Sequence, residues 1–261
     1  MARTDERVRL ERHGTVAELV LCAGERGNAI DHAMALALGE TVAEVQRLLA
    51  SGGGPAAVLL RAEGPNFCVG GDLRDFTSHT QGVREHLESA ADVVHGAILG
   101  LSTLPAPLVV ATQGAVAGGG MGIALTGDVV VAARSARFRM AYTAVGLTPD
   151  LGTTWLLPRV VGRQRALDLT LTNRTLGAEE ALSWGLVSRV VDDTDLDVSA
   201  RGLAAELAGG ATQALGAAKA LLIQGADESD QAAQLAREAR SIAAHAETPY
   251  AQQAMRAFLS R

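Results

Sequence analysis

The chain has 261 residues, of which 48% are hydrophobic and 20% charged, so it can form one large domain or two small ones with a substantial core. Only 3% of the residues are aromatic, the formal net charge is −6, and no run of lysine or arginine offsets it. This composition excludes the stacking surface and basic patch typical of nucleic-acid binding, so we expect no nucleic-acid partner. A charged N-terminal segment and the lack of about 18 consecutive apolar residues predict a soluble, cytoplasmic protein with no membrane partner.

Hydrophobic periodicity divides the first part of the chain into strands and one helix. Alternating stretches predict strands at Val8–Glu11 and Val16–Cys22. Asp31 is a predicted N-cap for a helix whose apolar residues recur at helical spacing, at Leu38, Val42, Val45 and Leu49. The compact apolar run Ala57–Leu60 predicts a strand that is covered on both faces. A glycine-rich loop, Gly64–Asp72, follows it.

The same order then recurs. A helix with one apolar face, Leu87 to Leu101, precedes the predicted strand Leu108–Ala111 and a second glycine-rich segment, Gly114–Gly122. Later short strands are expected at Val129–Ala132, Phe138–Met140 and within Leu186–Val191. This repetition predicts one layered α/β domain with a core over residues 1–195. Residues 196–261 are expected to form an alanine-rich helical region of the same domain, which covers a partner or the site.

The first glycine segment, Phe67–Leu73, places Gly70 and Gly71 between a buried strand and a helix. One interpretation is a tight turn with Asp72 as the helix N-cap. The other is a loop whose backbone approaches a ligand closely, because glycine has no Cβ. The sequence alone leaves both open.

The second glycine segment has four glycines within five positions, at 118, 119, 120 and 122, where a helix begins. Glycine inside a helix costs about 1 kcal/mol relative to alanine, so this cluster needs a physical reason. Close backbone packing is one reason, and N–H groups aimed at a developing negative charge are another. The spacing matches neither the dinucleotide-binding G-x-G-x-x-G pattern nor the phosphate-binding G-x-x-x-x-G-K-S/T pattern, so both nucleotide sites are excluded.

Five segments in order carry a resemblance to a known family: Asn28–Ile30, Phe67–Leu73, Gly118–Gly120, Leu147–Gly152 and Ala178–Val191. They resemble the landmarks of the enoyl-CoA hydratase/isomerase (crotonase) family, and the similarity runs from about Val8 to Leu259. The resemblance implies a crotonase-like spiral of ββα turns with a helical C-terminal region. It also implies assembly as a homotrimer or as a hexamer made of two trimers, with trimer contacts in the helical region 196–261.

The resemblance further implies an acyl-CoA substrate, with coenzyme A as part of the thioester and no prosthetic group. The backbone N–H groups of Gly71 and Gly119 are expected to form an oxyanion hole, which suits the charge on a thioester enolate. Arg26 is a candidate for the CoA phosphates, or else a solvated arginine beside a turn. The residues expected to bind coenzyme A are Arg26, Asn28, Ala29, Cys68, Gly70, Asp72, Leu73 and Arg74.

The residues facing the oxyanion hole decide which reaction is expected. Hydratases of this family use two glutamates, and the matching positions here hold Gly122 and Tyr142. Asp150 falls where peroxisomal-type enoyl-CoA isomerases carry their single acid–base residue, so it is the predicted catalytic group. The segment around it, 149–159, also resembles that of the 1,2-epoxyphenylacetyl-CoA isomerases in this family. The alternative role of Asp150 is the N-cap of a helix over residues 151–157. Leu147, Leu151 and Trp155 are expected to supply apolar walls.

The resemblance leaves three functions open. Double-bond isomerisation is the leading hypothesis, a hydratase or hydrolase of the same family is the alternative, and a non-catalytic acyl-CoA-binding protein is a third. Tyr142 either bonds substrate or is a core tyrosine. The segment Thr77–Glu85 and the residues around Tyr142 are expected to shape the acyl pocket.

The remaining titratable residues have no catalytic pattern. Cys22 and Cys68 form no disulfide framework, and the six histidines have no metal-ligand spacing, so no metal is expected. The histidines are therefore interpreted as surface or core residues. Asp75 and Glu85 are interpreted as structural acids at helix starts.

Overall fold

The structure, a computed structural model, describes residues 6–51, 53–78 and 82–260. The strands are β1 (Val8–His13), β2 (Val16–Leu21), β3 (Ala57–Ala62), β4 (Leu108–Thr112), β5 (Ala115–Ala117), β6 (Val129–Ala133), β7 (Arg137–Arg139), β8 (Leu176–Gly177) and β9 (Arg189–Val191). The α-helices are α1 (His32–Ala50), α2 (Leu73–Ser78), α3 (Val83–Ser102), α4 (Gly119–Leu125), α5 (Thr153–Val161), α6 (Arg163–Thr172), α7 (Ala178–Ser183), α8 (Leu196–Ala208), α9 (Thr212–Gly225), α10 (Gln231–Ala246) and α11 (Pro249–Leu259). The predicted strands and long helices are confirmed, with small shifts at their ends. The segment Thr77–Glu85 lies partly outside the described residues, at 79–81.

The strands form two sheets. The larger has the order β1-β2-β3-β4-β6-β9, in which β1 and β2 pair antiparallel and all later neighbours pair parallel. The smaller sheet, β5-β7-β8, lies beside it. Parallel neighbours require crossover segments, and the chain supplies them with helices and loops. The predicted mixed α/β architecture is therefore confirmed.

The larger sheet is buried on both faces, as the apolar run in β3 predicts. Successive side chains point to opposite faces, so Val58 and Leu60 pack in one core while Ala57 and Leu59 pack in another. The first core lies against α1 and α3. Asp31 caps α1 as predicted, because its side chain accepts a hydrogen bond of 2.8 Å from the Met34 N–H.

The C-terminal helical region has two parts that differ in burial. Helix α8 closes the second core with Leu196, Ala200 and Leu203. Helices α10 and α11 have no buried residues. Within the described ranges, no helix combines the length and apolar character needed to cross a membrane.

Candidate active site

The fold brings the two glycine segments into direct contact. The Cys68 N–H donates to the Ala115 carbonyl at 3.1 Å, and the Ala117 N–H donates to the Cys68 carbonyl at 2.9 Å. A Cβ on Gly70 would lie 3.0 Å from the Ala117 oxygen and 3.5 Å from the Gly119 nitrogen. Only glycine allows the loops to approach this closely, and Gly70 also has a φ of 98°. The close-packing interpretation of the glycines therefore holds.

The amides of Gly71 and Gly119 are left available at this contact. Ile30 donates to the Gly70 carbonyl at 2.8 Å and accepts from the Asp72 N–H at 3.0 Å, which leaves the Gly71 N–H out of the bridge. Gly119 is the first residue of α4, where an N–H has no acceptor within the helix. In residues 6–51, 53–78 and 82–260, neither amide donates a hydrogen bond. Both residues line a cleft of about 410 Å³.

The rest of the cleft is mainly apolar. Its walls come from α2, α3 and the loop before α5, and include Ile30, Phe76, Leu87, Val94, Leu147 and Leu151. Trp155, which the sequence analysis expected here, lines a second cavity instead. Trp155 lies in the first turn of α5, and Asp150 also lines that second cavity. Leu147 and Leu151 are therefore the two predicted walls that line the cleft itself.

Asp150 lines the cleft and pairs with His95 of α3. The His95 Nε2 lies 2.6 Å from the Asp150 Oδ1, and the two side chains are 47% and 42% exposed. Oδ2 has no hydrogen-bond partner among the described residues, so it can face a ligand. The alternative N-cap role is wrong, because α5 begins at Thr153 with Gly152 as its N-cap. The structure instead makes Asp150 one half of a carboxylate–imidazole pair beside two free amides.

The loop that carries Asp150 is held close to α4 by an unusual backbone. Leu151 has a φ of 51°, a conformation that residues other than glycine seldom adopt, and Gly152 follows with 69°. A Cβ on Gly122 would lie only 2.4 Å from the Leu151 carbonyl oxygen. Position 122 therefore has no room for a side chain.

Tyr142 supports the same loop. Its hydroxyl donates to the Asp150 carbonyl oxygen at 3.2 Å, and its ring lines the cleft. Burial, and then the negative charge of Asp150, raise the pKa of the Tyr142 phenol. The phenol is therefore a neutral donor at physiological pH, committed to the backbone in this structure.

Glu88 is a further carboxylate at the cleft that sequence reasoning missed. It is exposed on α3, two turns before His95, and lines the cleft. Asp75 and Glu85, the acids that sequence reasoning weighed, do not line it. Asp75 lies 2.9 Å from the His86 Nε2 instead. The position of Glu88 next to Leu87 on the predicted apolar face was the available signal.

The residues predicted to bind coenzyme A fall into two groups. Leu73 is exposed and lines the cleft, and Arg74 next to it is exposed as well. Arg26 is exposed as well, but it pairs with Asp72 at 2.7 Å and with Asp31 at 3.1 Å. Asp72 also caps α2, accepting from the Arg74 N–H at 3.0 Å, so its turn interpretation holds. Gly70 and Ala29 flank the glycine loops.

Two of the residues predicted to bind coenzyme A have buried side chains. Asn28 is fully buried, and its amide donates to the carbonyls of Glu63 and Asn66 at 3.0 Å each. Cys68 is buried too, and its backbone N–H and carbonyl are both bonded to β5 residues. Burial raises the pKa of the Cys68 thiol to about 12. Both side chains hold the glycine loop in place and do not reach a ligand.

One group of potential metal ligands lies far from the cleft in sequence and on other elements. Glu11, His13 and Glu18 have ligand atoms within 4.8 Å of one another. Glu18 is already bonded to Arg61 and Arg201, whose positive charges oppose a cation there. These residues therefore do not fit a metal site.

Comparison with known proteins places this geometry in context. Residues 11–261 match the enoyl-CoA hydratase/isomerase family. The chain is 40% identical to the 1,2-epoxyphenylacetyl-CoA isomerase of Escherichia coli over 78% of this chain and 77% of that protein. It is 37% identical to a protein of Rhodobacter capsulatus described as an enoyl-CoA hydratase, over 89% and 87% of the two chains. A 4-chlorobenzoyl coenzyme A dehalogenase of Arthrobacter is 32% identical over 87% and 81%.

Solved structures of similar fold lead to the same family. A Mycobacterium abscessus protein described as an enoyl-CoA hydratase/isomerase superposes with a TM-score of 0.89 and 33% identity, over 97% of this chain and 96% of that one. A Thermobifida fusca protein described as an enoyl-CoA hydratase, solved in complex with CoA, has a TM-score of 0.81 and 30% identity over 92% and 93%. The crotonase-like fold with a helical C-terminal region is thus confirmed.

Proposed function

Because the chain belongs to the enoyl-CoA hydratase/isomerase family, we propose that it is an enoyl-CoA isomerase in which Asp150 is the single acid–base group. One observation carries this proposal. The Asp150 carboxylate and the free amides of Gly71 and Gly119 line one apolar cleft. A base opposite two aligned donors is the minimum that a 1,3-proton shift next to a thioester needs.

The proposed reaction has two proton transfers. Asp150 removes a proton from C2 of a 3-enoyl-CoA, and the electron pair of the broken C–H bond moves into a dienolate whose charge rests on the thioester oxygen. The amides of Gly71 and Gly119 stabilise that oxygen, and one such donor is worth about 3 kcal/mol in acyl-transfer enzymes. The neutral Asp150 then protonates C4, so the double bond ends conjugated to the thioester.

The same geometry disfavours the hydratase alternative. Water addition of the usual kind uses two carboxylates around one water molecule, and the two matching positions here hold no acid. Position 122 is filled by the Leu151 backbone, and Tyr142 is bonded to the Asp150 carbonyl. Two other acids line the cleft. Asp31 is held by Arg7 and Arg26 and caps α1, so Glu88 is the acid to exclude by experiment.

Product analysis tests the proposal. The purified protein is incubated separately with trans-3-hexenoyl-CoA and with crotonyl-CoA, and the products are separated and identified by mass spectrometry and NMR. We expect 2-hexenoyl-CoA from the first and no 3-hydroxybutyryl-CoA from the second. Hydration of crotonyl-CoA favours the hydratase, and binding of both thioesters without turnover favours a non-catalytic acyl-CoA-binding protein.

The His95–Asp150 pair supports a second candidate, a hydrolytic reaction at the acyl group. A carboxylate beside a histidine can act as a nucleophile, with the imidazole activating the water that cleaves the resulting ester. The Arthrobacter relative named as a 4-chlorobenzoyl coenzyme A dehalogenase makes an aryl-CoA the appropriate probe. Chloride release from 4-chlorobenzoyl-CoA, or release of free CoA from any acyl-CoA, favours this candidate over isomerisation.

We also propose that the chain assembles in the cytoplasm as a homotrimer or a hexamer. Helices α10 and α11 have no buried residue. Three large apolar side chains on them, Ile242, Phe258 and Leu259, are 73%, 75% and 84% exposed. Large apolar residues exposed together are typical of association surfaces. Sedimentation equilibrium should give the mass of three or six chains, and the mass of a single chain at micromolar concentration contradicts the proposal.

A further inference from the structure

A second cavity, of about 750 Å³, lies next to Asp150. Pro149 and Asp150 line both this cavity and the acyl cleft, whereas His95 lines the second cavity alone. Helix α3, which carries His95, and the loop that carries Asp150 therefore lie between the two spaces. The Asp150–His95 contact at 2.6 Å is a direct polar link from the cleft to the second cavity.

The other charged groups that line the second cavity are occupied. Asp128 pairs with Lys219 at 2.8 Å, and Arg159 pairs with Asp227 at 3.1 Å while stacking on Trp155. Within the described residues of this cavity, the remaining titratable pair is His95 with Asp150. The His95 side chain is 47% exposed, so its ring has access to water on that side.

A substrate bound in the cleft limits the groups to which Asp150 can transfer a proton. An acyl group between the glycine amides and Asp150 fills the apolar cleft and excludes water from it. A proton taken up by Asp150 then has two destinations, which are the other carbon of the substrate and His95. An imidazole has one nitrogen that accepts a proton and one that donates a proton, so the His95 ring can take up a proton and return one.

We propose that His95 exchanges the proton held by Asp150 with water in the second cavity while the substrate occupies the cleft. This proposal rests on the proposed isomerase function. After Asp150 has accepted the C2 proton, its carboxyl group turns about the Cβ–Cγ bond and transfers the proton to Nε2 of a neutral His95 in the tautomer that carries its N–H on Nδ1, so that Nε2 is the accepting nitrogen. The half-exposed imidazolium exchanges its N–H protons with water and returns a solvent proton to Asp150, which delivers it to C4. No electrons are gained or lost, and His95 is regenerated neutral.

Isomerisation in deuterium oxide tests this role. The wild-type protein converts trans-3-hexenoyl-CoA to low conversion, and NMR and mass spectrometry measure the protium and deuterium at C4 of the product. The wild-type product should carry mainly solvent deuterium. The His95→Gln product should shift to mainly retained protium, because the proton then returns directly. His245→Gln, the same change on the remote helix α10, should match wild type.

Chemical rescue separates this role from a structural one. His95→Ala opens space toward the second cavity, and imidazole added to the buffer should restore deuterium at C4 in a concentration-dependent way. A loss of order caused by the substitution would not respond to imidazole in this manner. If His95→Gln misfolds, the His95→Ala protein with and without imidazole still gives the comparison.

The outcomes keep the two proposals apart. If the wild type and both His95 variants isomerise the substrate with equal deuterium content at C4, the exchange role of His95 is overturned. The isomerase function is then still supported, because Asp150 exchanges its proton with water directly. Absence of isomerisation and of C2 deuterium exchange in the wild type overturns both. Retained protium in the His95 variants, with rescue by imidazole, supports the exchange role.

Discussion

The carbonyl oxygen of Leu151 stands where a side chain of residue 122 would begin, 2.4 Å from the position of its Cβ. Gly122 thus allows the loop of Asp150 to pack directly on α4, the helix whose first residue is Gly119. The absence of a glutamate at position 122 and the placement of Asp150 are consequently two aspects of the same packing. A glutamate cannot be added at position 122 without displacing the loop that carries Asp150.

Gly122→Ala should therefore impair both stability and catalysis. Its Cβ meets backbone, which cannot move as a flexible side chain can, so we expect a loss of about 1–3 kcal/mol in the free energy of unfolding. Isomerase activity should fall as Asp150 moves. Chemical denaturation and steady-state kinetics measure the two effects. Gly202→Ala, in α8 where a Cβ meets nothing within 4 Å, is the control and should be neutral or stabilising. A fully active and stable Gly122→Ala protein would contradict this packing.

Glu88→Gln should leave isomerisation nearly unchanged. Glu88 lines the cleft but is exposed and has no assigned part in the proton shift. Glu85→Gln on the same helix is the matched control, because Glu85 is exposed and outside the cleft lining. We expect less than about a threefold change in kcat/KM for both, as is usual for exposed side chains without a catalytic role. A selective loss in Glu88→Gln indicates a second acid and revives the two-carboxylate hydratase mechanism.

Tyr142→Phe should lower the rate only modestly. The lost hydroxyl bonds the Asp150 carbonyl oxygen at 3.2 Å, so its removal loosens the loop without removing a substrate contact. A net hydrogen bond is worth about 1 kcal/mol, which corresponds to roughly a fivefold change in rate. Kinetics with 3-enoyl-CoA check this. A loss of several hundredfold would mean that Tyr142 acts on the substrate itself.

Low pH should weaken the ion pair between Glu18 on β2 and Arg201 on α8. Burial opposes ionisation of Glu18, but hydrogen bonds from Arg201 and Arg61 prevail and hold its pKa at about 2, against 4.5 in the unfolded chain. A depressed folded-state pKa contributes stability that is present above pH 4.5 and lost as the pH falls toward 2. The interactions of Glu18 with Arg61 and Arg201 should together contribute roughly 3 kcal/mol to the free energy of unfolding at neutral pH.

Glu18→Gln measures this contribution. Its deficit in unfolding free energy should be large at pH 7 and should shrink as the pH falls toward 3, because the unfolded wild-type chain then gains a proton on Glu18 that the folded protein does not yet bind. Glu206→Gln, an exposed change on α8, the helix that carries the Glu18 partner Arg201, should show no such dependence. A deficit that stays constant over this pH range contradicts the assignment of the stabilisation to the Glu18 charge.

Sequence reasoning worked where the signal is local. The continuous apolar run at Ala57–Leu60 predicted a strand buried on both faces, and Asp31 was correctly predicted as an N-cap. The glycine segments were singled out because their backbone cost needs a reason, and the structure packs them together. Each of these features follows from neighbouring residues and simple stereochemistry.

Sequence reasoning failed where a contact joins residues that are far apart in the chain. His95 lies 55 residues from Asp150, and no sequence pattern near either residue predicts their pairing. The left-handed conformation of Leu151 is likewise imposed by tertiary packing, so it moved the start of α5 to Thr153 and removed the predicted N-cap role of Asp150.

The most direct test of the central claim is the rate of conversion of trans-3-hexenoyl-CoA to 2-hexenoyl-CoA by the wild type and by Asp150→Asn. Circular dichroism establishes that the variant is folded, and a thermal shift with CoA establishes that it still binds the cofactor part of the substrate. Because the amide cannot accept the C2 proton, we expect kcat to fall at least about a hundredfold with little change in CoA binding. Isomerisation at the wild-type rate by Asp150→Asn, or hydration of crotonyl-CoA that survives the substitution, would contradict the account.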